Sequence, residues 1–137
     1  MILVDTSALA KLLVEESESA SLRAALGERG FQHEFAISTV ATVELRRLSV
    51  RLGLAPERVA PVLQPFRVLR LTEAILQLAG RLPYPHLGTL DAMHVATAVA
   101  AEASTLITYD VRQAEAARGE GLKILQPGAV TPDGGRP

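Results

Sequence analysis

Five short apolar runs punctuate the sequence: "MILV" at the start, then "FAIST", "FRVLRL", "STLITY" and "LKILQP". Each is too short to be a buried helix, and helical periodicity fills the spaces between them. "TSALAKLLVEE" and "SESASLRAALGERG" follow the first run, the latter with Gly30 near its end. "TVATVELRRLSVRLG" follows the second and is closed by Gly53. Pro56 opens a short helix at "PERVAPVLQPF", and "TEAILQLAGRL" follows the third run. "TLDAMHVATAVA" precedes "STLITY", and "DVRQAEAARGEG" separates the last two runs. Short apolar strands alternating with helices predict an α/β fold: a three-layer α/β/α sandwich around a parallel sheet of four to five strands. "PYPHLG", over 83–88, reads as a loop, and "GAVTPDGGRP" contributes a frayed tail over 129–137.

The length, 137 residues, suits one domain, placed here at 1–128. With 48% hydrophobic residues a buried core is expected and disorder of the whole chain is not. There is no cysteine, which excludes disulfide scaffolds and thiolate zinc sites and fits a reducing compartment. No apolar run approaches a membrane span, and the first residues lack the basic region of a signal peptide, so a cytoplasmic location without membrane contact is expected. A formal charge of −1 is not that of a protein that binds nucleic acid by bulk electrostatics; any such binding must be local.

In a doubly wound sheet, ligands bind outside the carboxyl ends of the strands. Asp5 ends the first strand and Asp110 ends "STLITY", so both belong to that edge. Helices run back from the same edge, which places Asp91, in the first turn of its helix, and Glu44, one to two turns into its own, there as well. Each acid also has a plainer reading. Asp5 and Asp110 begin helices and are candidate N-caps. Asp91 complements a helix dipole, with Thr89 as the candidate cap. Glu44 lies roughly 70° from the centre of the apolar stripe made by Ala41, Leu45, Leu48 and Leu52, where a carboxylate needs a partner; Arg47, at i+3, offers a local one. Four carboxylates from four separate segments nevertheless fall at one edge. Such a cluster repels itself unless a hard cation joins it, and an oxygen-only donor set suits Mg²⁺ or Mn²⁺. Sites of this kind commonly serve phosphoryl chemistry.

With these residues identified, the chain resembles the PIN-domain family, and within it the VapC type of toxin ribonuclease. The similarity runs from Met1 to about Gly128, through "ILVDTSAL", "STVATVELRRL", "TLDAMHVATA" and "LITYDVRQAEAA" followed by "GLKIL". The resemblance implies a PIN-like fold and a metal-dependent endoribonuclease. Asp5, Glu44, Asp91 and Asp110 then match the family's acidic quartet, which holds Mg²⁺ or Mn²⁺ and directs a metal-activated water at an RNA phosphodiester. Thr6 and Ser7 match the small polar positions after the first acid. The resemblance also implies a cognate VapB-like antitoxin, a homodimer, and a heterotetramer with the antitoxin.

Other residues carry two readings. His94, three residues after Asp91, shares its helix face and is either a metal or RNA contact or a satisfied, half-buried side chain. Arg46, Arg47 and Arg51 form a basic cluster that either holds phosphate or lines a solvated helix face. Arg112, just after Asp110, is better placed to meet phosphate. Tyr84 and Tyr109 are too few for a base-stacking platform. A Mg²⁺-dependent phosphotransfer or phosphatase domain also gathers aspartates above a parallel sheet. It usually needs a lysine at the end of a later strand, whereas Lys123 begins one, and "DTSAL" lacks a second Asp two positions after the first. A catalytically inactive PIN-fold binding scaffold usually lacks one or more acids, and none is missing here.

Overall fold

The computed structural model describes residues 1–30 and 32–130; residues 131–137, most of the expected tail, lie outside this range. Five strands form one parallel sheet: β1 (Ile2–Val4), β2 (Phe35–Ser38), β3 (Arg67–Leu69), β4 (Thr105–Ile107) and β5 (Lys123–Leu125). Their order is β3-β2-β1-β4-β5. All four pairings are parallel, with Leu3 opposite both Ala36 and Leu106. The strands are shorter than the apolar runs that announced them. "STLITY", for example, leaves the sheet after Ile107, and Thr108 and Tyr109 lead into the next helix.

The period of two along a strand divides the core between the two faces. Ile2, Val4, Ile37 and Ile107 face one way, against Ala8, Leu9 and Leu13 of α1 (Thr6–Leu13), Leu22 of α2 (Ser19–Arg29), Ala41 and Leu45 of α3 (Thr39–Arg51) and Val59 of α4 (Val59–Leu63). Leu3, Ala36 and Leu106 face the other way, against Val95 and Ala98 of α6 (Thr89–Ala100) and Ala117 of α7 (Val111–Gly119). Each fully buried Leu, Ile or Val contributes roughly 1.5–3 kcal/mol. α5 (Glu73–Arg81) packs on the outer side of α6. That outer cover explains why α6 is apolar almost all the way round: Ala92, Val95, Ala96 and Ala98 are all buried.

Two local expectations are corrected. Leu52 is not part of the buried stripe of α3; it caps the helix and is 51% exposed, because the helix ends at Arg51 and Gly53 turns the chain with φ 67°. The N-cap of α6 is Gly88, not Thr89, and it has no side-chain cap bond, which leaves Asp91 as the acidic group of the first turn.

Candidate active site

The sheet reverses direction of growth at β1, which has β2 on one side and β4 on the other. The crevice above that switch point is bounded by Asp5, directly after β1, and by Thr108 to Asp110, directly after β4. Asp5 still belongs to the ladder through its backbone, its N–H donating to the Ile107 carbonyl (3.1 Å).

Asp5 is the most enclosed acid, 1% exposed. Its Oδ1 accepts from Ser7 Oγ (2.7 Å) and from the Ala8 N–H (3.1 Å), so the N-cap reading holds for α1. Its Oδ2 accepts from Thr108 Oγ1 (2.6 Å). Thr108 and Ser7 in turn accept from the Asp110 and Tyr109 N–H groups (3.1 and 2.9 Å), which ties the ends of β1 and β4 together. Burial pushes the Asp5 carboxyl up, against the opposing pull of these hydroxyl donors. Thr108 is a residue that local sequence reading missed. Its only signal was its position two residues before Asp110 at the end of an apolar strand.

Asp110 caps α7, with Oδ1 accepting from the Gln113 N–H (2.9 Å). Both carboxylates that end strands are therefore helix caps, and their position at the sheet edge is a consequence of that role. Asp91 sits at the mouth of α6; a methyl group at Gly88 would lie 3.7 Å from its Oδ2, so the carboxylate lies against the helix start. Its carboxyl is pushed up to about 6, first by burial, then by the negative charge of Asp110, with Asp5 and Glu44 adding to it and His94 opposing. Asp91 thus feels the charge of each of the other three acids.

Glu44 does not use the local partner offered by its own helix. Its Oε1 accepts from Thr6 Oγ1 (2.7 Å) and from His94 Nε2 (2.6 Å), contacts that join α3 to α1 and α6. Burial raises its pKa, but the bonds from His94 and Thr6 and the charges of His94 and Arg51 outweigh it and hold the carboxyl below the usual range. His94 is 1% exposed, deeper than the half-buried state expected, and its Nδ1 lies 2.8 Å from Ser38 Oγ. Ser38, which caps α3, is a second residue missed from sequence.

The basic residues stay outside this network. Arg112 is exposed in the first turn of α7 and makes no ion pair with a described residue. Arg46 is exposed two residues after Glu44, a spacing that does not share a helix face. Arg51, at i+7, does share it, and its charge is the one that reaches Glu44. A concavity of about 740 Å³ lies elsewhere, lined by Leu12, Leu26, Val62 and Phe66 with Arg23 and Arg67, and includes none of the four acids.

Among the described residues, no three Asp, Glu or His side chains converge tightly enough to wrap an ion by themselves. Magnesium is usually held by one or two carboxylates plus waters and substrate phosphates, so an open group of acids suits it better than a closed cage. The donor chemistry agrees: the chain has no cysteine, and both His94 nitrogens are already engaged. Among the described residues no helix is long and apolar enough to cross a membrane.

Comparison with known proteins matches residues 2–119 to the PIN domain. The protein named Ribonuclease VapC47, of Mycobacterium tuberculosis (strain CDC 1551 / Oshkosh), is 38% identical over 135 residues, 95% of this chain and 99% of that protein. Among solved structures, a toxin–antitoxin complex from Klebsiella pneumoniae aligns with a TM-score of 0.71 at 22% identity, covering 93% of this chain and 98% of that one. VapBC2 from Rickettsia felis, bound to a DNA fragment from its promoter, aligns with a TM-score of 0.71 at 18% identity, covering 91% and 98%. The two structures share the fold; the sequence relative and the matched domain carry the kinship. On these grounds the chain belongs to the PIN-domain family, in its VapC-type group of toxin ribonucleases.

Proposed function

We propose that this chain is a divalent-metal-dependent endoribonuclease and the toxin of a VapBC-type toxin–antitoxin pair. The observation that carries this reading is that Asp91 feels the charges of Asp5, Glu44 and Asp110, the four acids being supplied by four separate elements at the switch point of a parallel sheet. These four are the proposed metal-holding and catalytic residues. Thr6 and Ser7 support them by donating to Glu44 and Asp5. A bound Mg²⁺ or Mn²⁺ would supply charge neutralisation at the phosphodiester and a lowered pKa for the attacking water.

The chain's own groups supply placement. The hydroxyls of Ser7 and Thr108 hold Asp5 at a fixed orientation, and α6 brings Asp91 over the same crevice. Arg112, exposed, without an ion pair to a described residue and two positions after Asp110, is the proposed contact to the RNA backbone. On α3, Arg51 is better placed for that task than Arg46, since it shares the face of Glu44. Because structural relatives include toxin–antitoxin complexes, the proposed partner is a VapB-like antitoxin. The assembly is proposed as a homodimer that forms a heterotetramer with it, in the cytoplasm.

The test is incubation of the purified chain with total RNA in Mg²⁺, in Mn²⁺ and with chelator, beside Asp91→Asn. Metal-dependent fragments that vanish in the variant are expected. No cleavage, together with no rise in melting temperature on adding either ion, would overturn the proposal.

A further inference from the structure

His94 is buried, polar and not itself one of the four acids, yet its Nε2 touches Glu44 while its Nδ1 is held by Ser38. One end of the ring has a fixed role. Glu44 Oε1 has no hydrogen of its own, so the Nε2 that faces it at 2.6 Å carries a proton and donates. At the other end Nδ1 lies 2.8 Å from Ser38 Oγ, which also accepts from the Ala41 N–H (3.4 Å). The Ser38 hydroxyl donates to a neutral ring or accepts from an imidazolium, and it holds Nδ1 in either state. Thr6 Oγ1 donates to the same oxygen at 2.7 Å. A carboxylate oxygen has about two lone-pair sites, and both on Oε1 are taken. Only Oε2 of Glu44 remains for anything else.

We propose that His94, held by Ser38, is a positioning residue that restricts Glu44 to one-oxygen ligation and fixes its place relative to Asp91 on the same helix as the histidine. This rests on the metal-dependent reading given above. It also excludes His94 as a ligand, since neither nitrogen is free. Ser38 ends β2 and caps α3, His94 comes from α6, Glu44 from α3 and Thr6 from α1, so four elements are tied to one carboxylate by one imidazole and two hydroxyls. Partners that orient ligating groups in this manner typically change metal affinity or activity about 10–100-fold when removed.

The test is Mn²⁺ binding by the purified chain without RNA, read by electron paramagnetic resonance, with kcat and KM for RNA measured alongside. Two changes are compared, each alone and in a Glu44→Gln background: His94→Asn, which keeps a group near Nδ1 but loses the donor to Glu44, and His94→Gln, whose amide N–H reaches the Nε2 position. His94→Asn should weaken Mn²⁺ binding about 10–100-fold and lower kcat with little change in KM. His94→Gln should recover most of both. In the Glu44→Gln background, His94→Asn should cost less than about twofold more, because the two residues act as one unit. Equal Mn²⁺ affinity in wild type and His94→Asn, or the same loss with Glu44 already replaced, would overturn the positioning role. Should His94→Asn not fold, Ser38→Ala carries the test. Several-fold weaker Mn²⁺ binding that vanishes in the Glu44→Gln background supports the inference, and unchanged binding overturns it. A wild-type chain that binds no Mn²⁺ would instead overturn the metal-site reading itself, and this inference with it.

Discussion

At Asp91 the charges of Asp110, Asp5 and Glu44 add to partial burial, and the carboxyl is pushed from 3.8 to about 6. The sign of the consequence follows from linkage. Between about pH 4 and 6 the folded state holds a proton that the unfolded state has released, so stability falls as pH rises through that window. Above it the full penalty is present. Two pK units would amount to nearly 3 kcal/mol, but the side chain is half-exposed and screened, so about 1 kcal/mol is a fair expectation. In chelator at pH 7.5, Asp91→Asn should therefore melt above wild type by roughly 3–5 °C. The gap should close as the pH is lowered towards 4. A gap that stays constant with pH would mean that packing, not charge, separates the two proteins. The same reasoning explains what was legible at this scale. The presence of Asp91 at the helix mouth is a local fact of spacing, readable from "TLDAMH". The groups that set its protonation are remote in the chain, and no local pattern names them.

The elements show the same division more sharply. Apolar runs and helical periods announced the five strands, the parallel sheet and the edge at which the acids gather, because each of those follows from a local period. What they did not announce were the ties between elements: Thr6 to Glu44 spans 38 residues, His94 to Glu44 50, Ser38 to His94 56 and Thr108 to Asp5 103. Arg47 was the nearer candidate for Glu44 on the helix surface, but Glu44 faces inward, where α6 presents an imidazole. The N-caps fall on the legible side, and they make a separation possible. Asp110 both starts α7 and belongs to the site. Serine is as good an N-cap as aspartate. Asp110→Ser should thus keep the bond from the Gln113 N–H and melt no lower than wild type in chelator, while relieving Asp91 of its strongest neighbouring charge. RNA cleavage should nonetheless fall by at least about 100-fold, since even partners of ligands are worth 10–100-fold. Asp110→Ala should lose activity too and, with the same relief of charge but no cap, should be about 1 kcal/mol less stable than Asp110→Ser. Calorimetry of both variants beside a cleavage assay decides it; a Ser variant that retains activity would remove Asp110 from the site.

For the whole molecule, the four acids connect α1, α3, α6 and α7, so whatever neutralises them acts on the fold rather than on one segment. A ligand that binds only the folded state stabilises it by RT ln(1 + [L]/Kd), about 2.7 kcal/mol at a hundredfold excess over Kd. That exceeds the roughly 1 kcal/mol of repulsion assigned to Asp91. The order of stabilities should therefore invert with the ion. In chelator, Asp91→Asn should be the more stable protein; in saturating Mg²⁺ or Mn²⁺, wild type should be, because the variant gains less from the ion it holds poorly. Thermal melts of both proteins across a Mg²⁺ titration at pH 7.5 provide the measurement, and the curves should cross. Parallel curves that never cross would mean that Asp91 contributes nothing to holding the ion. A wild type insensitive to both ions would mean that the acids at the sheet edge serve only structural roles: Asp5 and Asp110 as caps, Asp91 as a dipole partner and Glu44 as the acceptor for His94 and Thr6.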